Sequence, residues 1–300
     1  MTIYGANSTS YFSAPAETLD PTLFQGRALR SQIRDGIVSL LNGFFAKHYR
    51  HSEVWSHPWL AGSGVSYQWQ ANRTPKDLDC LVGVDFVQFR KANPEYVGLS
   101  DTEIASQINE QFHDELQPAT ENWNGYELTF FVNPSATDIR NLKPYAAYDL
   151  KYDEWTVTPD PNAAPPQNPE WDSIVENDRK MTEQITTRFN TALQTMQETR
   201  SEAGHRNAET RLAAAYQQGD ALYDEIHRNR SQAFSPTGQG YADFHNYRWQ
   251  AGKQVGTVAK LRNIREYVKE NSRAEAMATY GIELPDANTL IRRAATYRVK

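Results

Sequence analysis

Proline is concentrated in one short part of this 300-residue chain. Residues 159–169, which read Pro-Asp-Pro-Asn-Ala-Ala-Pro-Pro-Gln-Asn-Pro, contain five of its fifteen prolines. Proline has no backbone N–H and a fixed φ, so neither a helix interior nor a central strand can run through this segment. The sequence therefore predicts a linker at 159–170, between an N-terminal domain at 1–158 and a C-terminal domain at 171–300.

The segment before the linker contains two clear helix patterns. From Gly26 to Tyr49 the apolar residues recur every three or four positions, which predicts an amphipathic helix. Ser100 followed by Glu103 is a capping-box pattern, and the apolar residues that follow repeat every four positions. We therefore expect a second helix over 101–116.

Strand patterns alternate with these helices. The segment 77–87 is apolar apart from its first residues, and Tyr126-Glu127-Leu128-Thr129-Phe130-Phe131-Val132 follows a glycine turn. Between 145 and 158 the strand-favouring residues Tyr, Trp, Val and Thr predict a further pair of strands. The N-terminal domain is therefore expected to be α+β, with a mixed sheet and flanking helices.

Beyond the linker the periodicity is helical nearly to the end, which predicts an all-α C-terminal domain. A turn around Pro236-Thr237-Gly238 separates the first two helices from a third helical stretch that begins near Asp243. The apolar positions that define the first two helices are Ile174, Met181, Ile185, Phe189, Leu193 and Met196, then Leu212, Tyr216, Leu222 and Ile226.

The segment richest in candidate chemistry is Gly62-Ser63, followed after thirteen residues by Asp77-Leu78-Asp79. Side chains alternate along a strand, so Asp77 and Asp79 should point to the same side. Two neighbouring carboxylates repel each other unless a cation lies between them, and Mg²⁺ prefers such oxygen ligands. A glycine turn lets backbone N–H groups approach a phosphate, and the Ser63 hydroxyl adds a donor.

A third carboxylate on a neighbouring strand would complete such a site. Glu127 is the first candidate, because apolar residues flank it in a predicted strand. Asp149 and Asp153 are the alternatives if the strand order differs. A solvated Glu on the wet face of a strand remains the structural alternative for Glu127.

The segment from Ala61 to Cys80 resembles the polymerase-β-like nucleotidyltransferase superfamily, whose motif is an apolar residue, Gly-Gly or Gly-Ser, a spacer and Asp-x-Asp or Asp-x-Glu. The spacer here is at the long end of the family's range. The run from Val132-Asn133-Pro134 to Tyr148 also resembles nucleotidyltransferases of bacterial viruses, which implies a place in the host cytoplasm.

The resemblance implies transfer of a nucleoside monophosphate from an NTP to an acceptor hydroxyl, with Mg²⁺ or Mn²⁺ held by Asp77, Asp79 and Glu127. It also implies a nucleotidyltransferase-type sheet and a helical domain that closes over the base and ribose. Acceptor, base preference and oligomeric state stay open, and RNA, protein and small molecules are all candidate acceptors.

Three further residues are candidates for contact with the nucleotide. Arg73 could clamp phosphate oxygens, although a solvated loop arginine is an equal alternative. In the helical half, Tyr247 could stack on the base and Lys253 could meet the triphosphate. A core aromatic beside a solvated lysine is the alternative for that pair.

Composition narrows the remaining classes. No apolar run is long enough to span a membrane, and the first residues lack the pattern of a signal peptide, so we expect a cytoplasmic protein without a membrane partner. The single cysteine, Cys80, excludes an internal disulfide. Residues 1–170 carry 12 basic and 21 acidic side chains and 171–300 carry 19 and 16, a balance too weak to predict tight nucleic-acid binding.

Two other functions stay open at this stage. One is a binding protein that keeps a nucleotidyltransferase-like core without catalysis. The other is a metal-dependent phosphoesterase, which usually adds histidines, whereas the seven histidines here show no metal-ligand spacing.

Overall fold

A computed structural model describes residues 10–69, 76–135 and 137–280. These residues form two compact units. The sheet unit comprises 10–164 together with Phe234–Pro236, and the helical unit comprises 165–233 and 237–280. The division after residue 164 falls inside the proline-rich segment.

The sheet unit contains a short hairpin and one mixed sheet, which has five strands within the described residues. In the sheet the strand order is β5-β4-β3-β6-β7, and only the β4–β5 pair is parallel. The strands are β1 (Phe24–Gln25), β2 (Ala28–Leu29), β3 (Ser56–Ala61), β4 (Lys76–Val84), β5 (Tyr126–Phe131), β6 (Ala147–Asp149) and β7 (Glu154–Val157).

Helices of this unit precede, separate and follow the first strands of the sheet. The helix α4 continues without a break into a π-helical turn at Phe112–Leu116. The helices are α1 (Ser31–His48), α2 (Ser52–Trp55), α3 (Phe86–Ala92), α4 (Asp101–Gln111) and α5 (Gln117–Thr120).

The main core lies between one face of the sheet and the helices α1 and α4. Because the strands alternate, Leu60, Leu78 and Leu128 from β3, β4 and β5 all point to this face and are almost completely buried. On the helix side, Ile37 and Ile104 pack against the same core. This packing fixes which residues point to the opposite face.

The opposite face carries a smaller apolar cluster. Trp59, Leu81 and Ala147 from three adjacent strands lie there with Ile139, which belongs to a short 3-10 helix. The β3–β4 register pairs Ala61 with Asp79, so the acidic pair lies on this smaller face, next to the cluster. The candidate site is therefore on the side of the sheet that α1 and α4 do not cover.

Side chains and a bridge satisfy much of the outer edge of β5. The N–H and C=O of Val132 bond to the side-chain amide of Asn109, and the Leu128 carbonyl accepts from the Thr120 hydroxyl. Tyr126 forms a β-bridge with Trp123. An edge occupied in this way is protected from pairing with another chain, and it holds Glu127 in place.

Most of the predicted elements of this unit are confirmed, with corrected ends. The helix predicted from Gly26 begins only at Ser31, because the β1–β2 hairpin occupies the preceding residues. The capping box at Ser100 is present with both of its hydrogen bonds. The strand predicted over 77–87 was too long: β4 ends at Val84, and the Asp85 carboxylate caps α3, which the sequence pattern missed.

Four helices form the helical unit. Two long ones pack side by side, and the other two pack against them. The helices are α6 (Pro169–Glu198), α7 (Glu202–Ala233), α8 (Phe244–Gln254) and α9 (Thr257–Tyr280). The third helical stretch of the sequence is in fact two helices, since Gly256 adopts a φ of +80° between them. None of the described helices combines the length and the apolar character needed to cross a membrane.

The buried stripe of α6 differs from the apolar pattern in the sequence. Ile174 and Met181, which helped to define the helix, are 38% and 44% exposed. Asp178 and Thr182 are buried instead. The cause lies in α8, whose Arg248 pairs with Asp178 inside the unit.

Candidate functional site

The turn after β3 begins with a conformation that requires glycine. Gly62 has φ +86° and ψ −159°, and a Cβ at this position would lie 3.0 Å from Oδ2 of Asp79. Its N–H donates to the Ala146 carbonyl at 3.2 Å, which ties the turn to the chain entering β6. The turn therefore lies directly against the second aspartate of the Asp-x-Asp pair.

The rest of the turn crosses the backbone of β4. A Cβ on Gly64 would lie 2.7 Å from the carbonyl oxygen of Asp77, so this glycine is required for close approach. The turn is held by Ser66, whose N–H and hydroxyl both donate to the Ser63 carbonyl at 3.0 Å. Ser63 itself is half-buried at the start of a 3-10 turn, Ser63–Val65.

Two adjacent parallel strands place the acidic residues on one face. In the β4–β5 register Asp77 is opposite Glu127, and Asp79 is opposite Thr129. Paired residues of a sheet point to the same side, so all three carboxylates are on the face that carries the Gly62 turn. Asp77 is exposed, whereas Asp79 and Glu127 are half-buried.

The donor chemistry of this group fits a hard divalent cation. Its ligands would all be carboxylate oxygens, and Mg²⁺ commonly takes only one or two protein carboxylates together with phosphate oxygens and water. Within 10–69, 76–135 and 137–280, no three His, Cys, Asp or Glu side chains converge closely enough to form a complete metal site by themselves. Asp77 and Asp79 are thus the pair that would hold the ion, with Glu127 one strand away.

The residues between and beside the two aspartates serve the core instead. Cys80 is fully buried on the opposite face, and burial together with the charge of Asp79 raises the pKa of its thiol. Lys76 also points to that side, where its Nζ is 3.0 Å from the Asp20 carboxylate. Burial acts to raise the pKa of Asp20, but hydrogen bonds from Tyr126 and the Thr22 N–H, and the nearby lysine, lower it overall.

Both alternatives for the third carboxylate are engaged elsewhere. Asp149 is 4% exposed, and its Oδ2 lies 2.6 Å from Nε2 of His57, which stacks on Trp59. Burial acts to raise the pKa of this carboxyl group, but the His57 contact and two backbone N–H groups hold it below its usual value. Asp153 has a φ of +59°, and its side chain accepts from the Tyr148 hydroxyl.

The other predicted nucleotide contacts do not belong to this group of residues. Arg73 lies outside the described residues. Tyr247 and Lys253 belong to α8 of the helical unit. The Tyr247 ring is 7% exposed and packs against Trp171, while its hydroxyl bonds to Asp172, which raises its pKa to about 12 because burial and the carboxylate both oppose ionisation.

Two parts of the site escaped the sequence analysis. Thr129 lies beside Asp79, and the two-residue period from Glu127 could have found it. The Ala146 carbonyl, which anchors Gly62, has no side-chain signal that could have revealed it.

No family model, curated protein or solved structure matches this chain.

Proposed function

We propose that this protein is a Mg²⁺- or Mn²⁺-dependent nucleotidyltransferase with a nucleotidyltransferase-type sheet. The observation that supports the proposal best is the position of Gly62 against Asp79, with Asp77 and Glu127 opposite each other on parallel strands. A phosphate-binding turn beside clustered carboxylates is the minimum that this chemistry requires. The sequence motif at 61–80 supports the same reaction.

Each residue has a distinct role in the proposed reaction. Asp77 and Asp79 would hold the metal, which when bound neutralises phosphate charge and lowers the pKa of a coordinated hydroxyl. The Ser63 hydroxyl and the N–H groups of Ser63 and Gly64 would donate to phosphate oxygens, since the Gly62 N–H already bonds to Ala146. Arg73 and Lys253 remain candidates for charge neutralisation, and Tyr247 remains a candidate for base contact.

The reaction itself is a single exchange at phosphorus. The acceptor oxygen forms a bond to the α-phosphorus of the NTP while the bond to the β-phosphate bridging oxygen breaks, and pyrophosphate leaves. Glu127, which is half-buried beside Asp77, would take the proton of the acceptor hydroxyl. Substrates are therefore an NTP and a hydroxyl-bearing acceptor whose class the site leaves open.

The test is label transfer with purified protein. Each α-labelled NTP is incubated with Mg²⁺ or Mn²⁺, with and without RNA, protein or cell extract, while pyrophosphate release is followed. We expect the double variant Asp77→Asn/Asp79→Asn to abolish transfer. Asp114→Asn, a change of an exposed carboxylate in the same unit, is the matched control and should retain full activity.

Two outcomes would overturn the proposal. One is retained activity in the double variant, provided that its circular dichroism and melting temperature match those of the wild type. The other is absence of turnover together with absence of any NTP- and Mg²⁺-dependent rise in melting temperature. The second outcome would favour a binding protein without catalysis.

A further inference from the structure

A stack of aromatic and cationic side chains lies on the α7–α9 side of the helical unit. His227 is at its centre, parallel to the Tyr223 ring at 5.5 Å and edge-on to Trp249 at 5.3 Å. The Arg265 guanidinium lies 5.1 Å from the Tyr223 ring, and that of Arg230 lies 5.5 Å from Trp249. The imidazole is therefore fixed between two rings, each of which also faces an arginine.

The acidic groups of this region neutralise only part of its positive charge. Arg265 pairs with Asp220 and Asp224, each at 2.9 Å, and Arg228 bonds to the same Asp224. Arg262, exposed on α9, forms no ion pair within the described part of the chain. Four arginines thus lie around two aspartates.

His227 responds to this excess of positive charge. Partial burial lowers the pKa of its imidazole first, and the charges of Arg230, Arg265 and Arg262 lower it further, while Asp224 acts in the opposite direction. Three arginines from two helices therefore lie within electrostatic range of one exposed imidazole. An anion bound here would relieve their mutual repulsion.

We propose that this face, formed by His227, Arg230 and Arg262, binds a phosphate-type anion. The guanidinium groups would donate charge-assisted hydrogen bonds to the phosphate oxygens, and the imidazole would add an N–H. Tyr223 and Trp249 are 9% and 5% exposed, so their rings are not available to stack on a base. The site would thus recognise phosphate without base selectivity, and it does not depend on the nucleotidyltransferase proposal.

The test uses the titration of His227 as the reporter. Histidine imidazole signals of the full-length protein are followed by NMR across pH, with inorganic pyrophosphate or a single-stranded oligonucleotide as the probe, and His227→Gln provides the assignment. We expect bound anion to raise the pKa of His227, because it offsets the neighbouring cations. His205, exposed on the same helix beside Glu209, is the internal control and should not respond.

Variants separate a specific site from general attraction. Arg262→Gln removes an exposed side chain, and it should weaken binding of the probe about tenfold, the size of one charge-assisted hydrogen bond. Arg206→Gln, an exposed arginine nearer the start of α7, should leave the affinity unchanged.

The two probes also distinguish the source of the phosphate. Binding of pyrophosphate alone would indicate a small phosphate ligand, whereas tighter, strongly salt-dependent binding of the oligonucleotide would indicate a nucleic-acid backbone. An unchanged His227 titration with both probes would overturn the proposal, as would equal losses of affinity in Arg262→Gln and Arg206→Gln.

Discussion

The two units of this chain bury different kinds of side chain. Between the sheet and its helices the core is apolar, and residues such as Leu60 and Leu78 are buried completely. In the helical unit Arg248 is 8% exposed, and its Nε and Nη2 donate to Asp178 at 2.7 and 2.8 Å. Its Nη1 donates to Glu225 at 2.6 Å, so this one side chain joins α6, α7 and α8.

The difference concerns how each unit responds to a single change. An apolar core loses free energy in proportion to the contacts and volume removed. A buried ion pair fails abruptly when one partner is lost, because the other charge then remains in a medium of low dielectric. The helical unit should therefore be the more sensitive of the two to a single polar substitution.

The strongest test of this comparison is Asp178→Ala. Without Asp178 the buried Arg248 loses two hydrogen bonds, and we expect the free energy of unfolding to fall by about 3–5 kcal/mol. Urea denaturation followed by circular dichroism measures the change. Glu176→Gln, which affects an exposed ion pair of the same helix, is the control and should have little effect. Equal stability of the two variants would refute the special role of the buried pair.

A matching change in the sheet unit is Leu60→Ala. Leu60 is completely buried in β3, and its truncation should cost about 2–5 kcal/mol of unfolding free energy by loss of contacts and creation of a cavity. Val87→Ala, at a position 62% exposed, should change stability by less than about 0.5 kcal/mol. If Leu60→Ala also cost less than that, the apolar account of this core would be wrong.

The candidate site offers a backbone test within the sheet unit. Gly62→Ala places a side chain at positive φ and against Asp79, so we expect a loss of about 1–3 kcal/mol and a fall in any label transfer. Gly43→Ala is the contrasting control, because Gly43 lies inside α1 with open space around it. That change should stabilise the protein by about 0.5–1 kcal/mol. Thermal and urea unfolding would show whether the two glycines differ in sign.

The buried carboxylate of the sheet unit provides the smallest expected effect, through pH. Asp149 has a lowered pKa in the folded protein, so folded chains bind fewer protons there than unfolded ones. Its contribution to stability is complete above about pH 4, the ordinary range of Asp, and is lost as pH falls through the lower folded-state value.

Asp149→Asn should remove this component of the pH dependence. At pH 7 we expect the variant to be less stable by about 1.5 kcal/mol, the size of one hydrogen bond to a charged group. Urea unfolding at several pH values between neutrality and acid compares the two proteins. Parallel stability curves for wild type and variant would show that the contact with His57 contributes nothing.

Local patterns were sufficient for much of the fold. The capping box at Ser100 and the apolar period of α1 involve residues within a few positions of one another, so the sequence alone locates these helices. The pattern failed where a polar residue changed the local geometry. Asp85 ends β4 by capping α3, although the apolar residues around it read as a continued strand.

For the candidate site, the sequence by itself determined that Asp77 and Asp79 share a side, because the strand period of two is a local property. Only the tertiary structure decided that Glu127 faces Asp77, since the register of two parallel strands depends on the helix packed between them in sequence. The same holds for His57 with Asp149, and for Asp178 with Arg248, pairs that are 92 and 70 residues apart. Such contacts carry no periodic signal, because they form only after the chain has brought distant elements together.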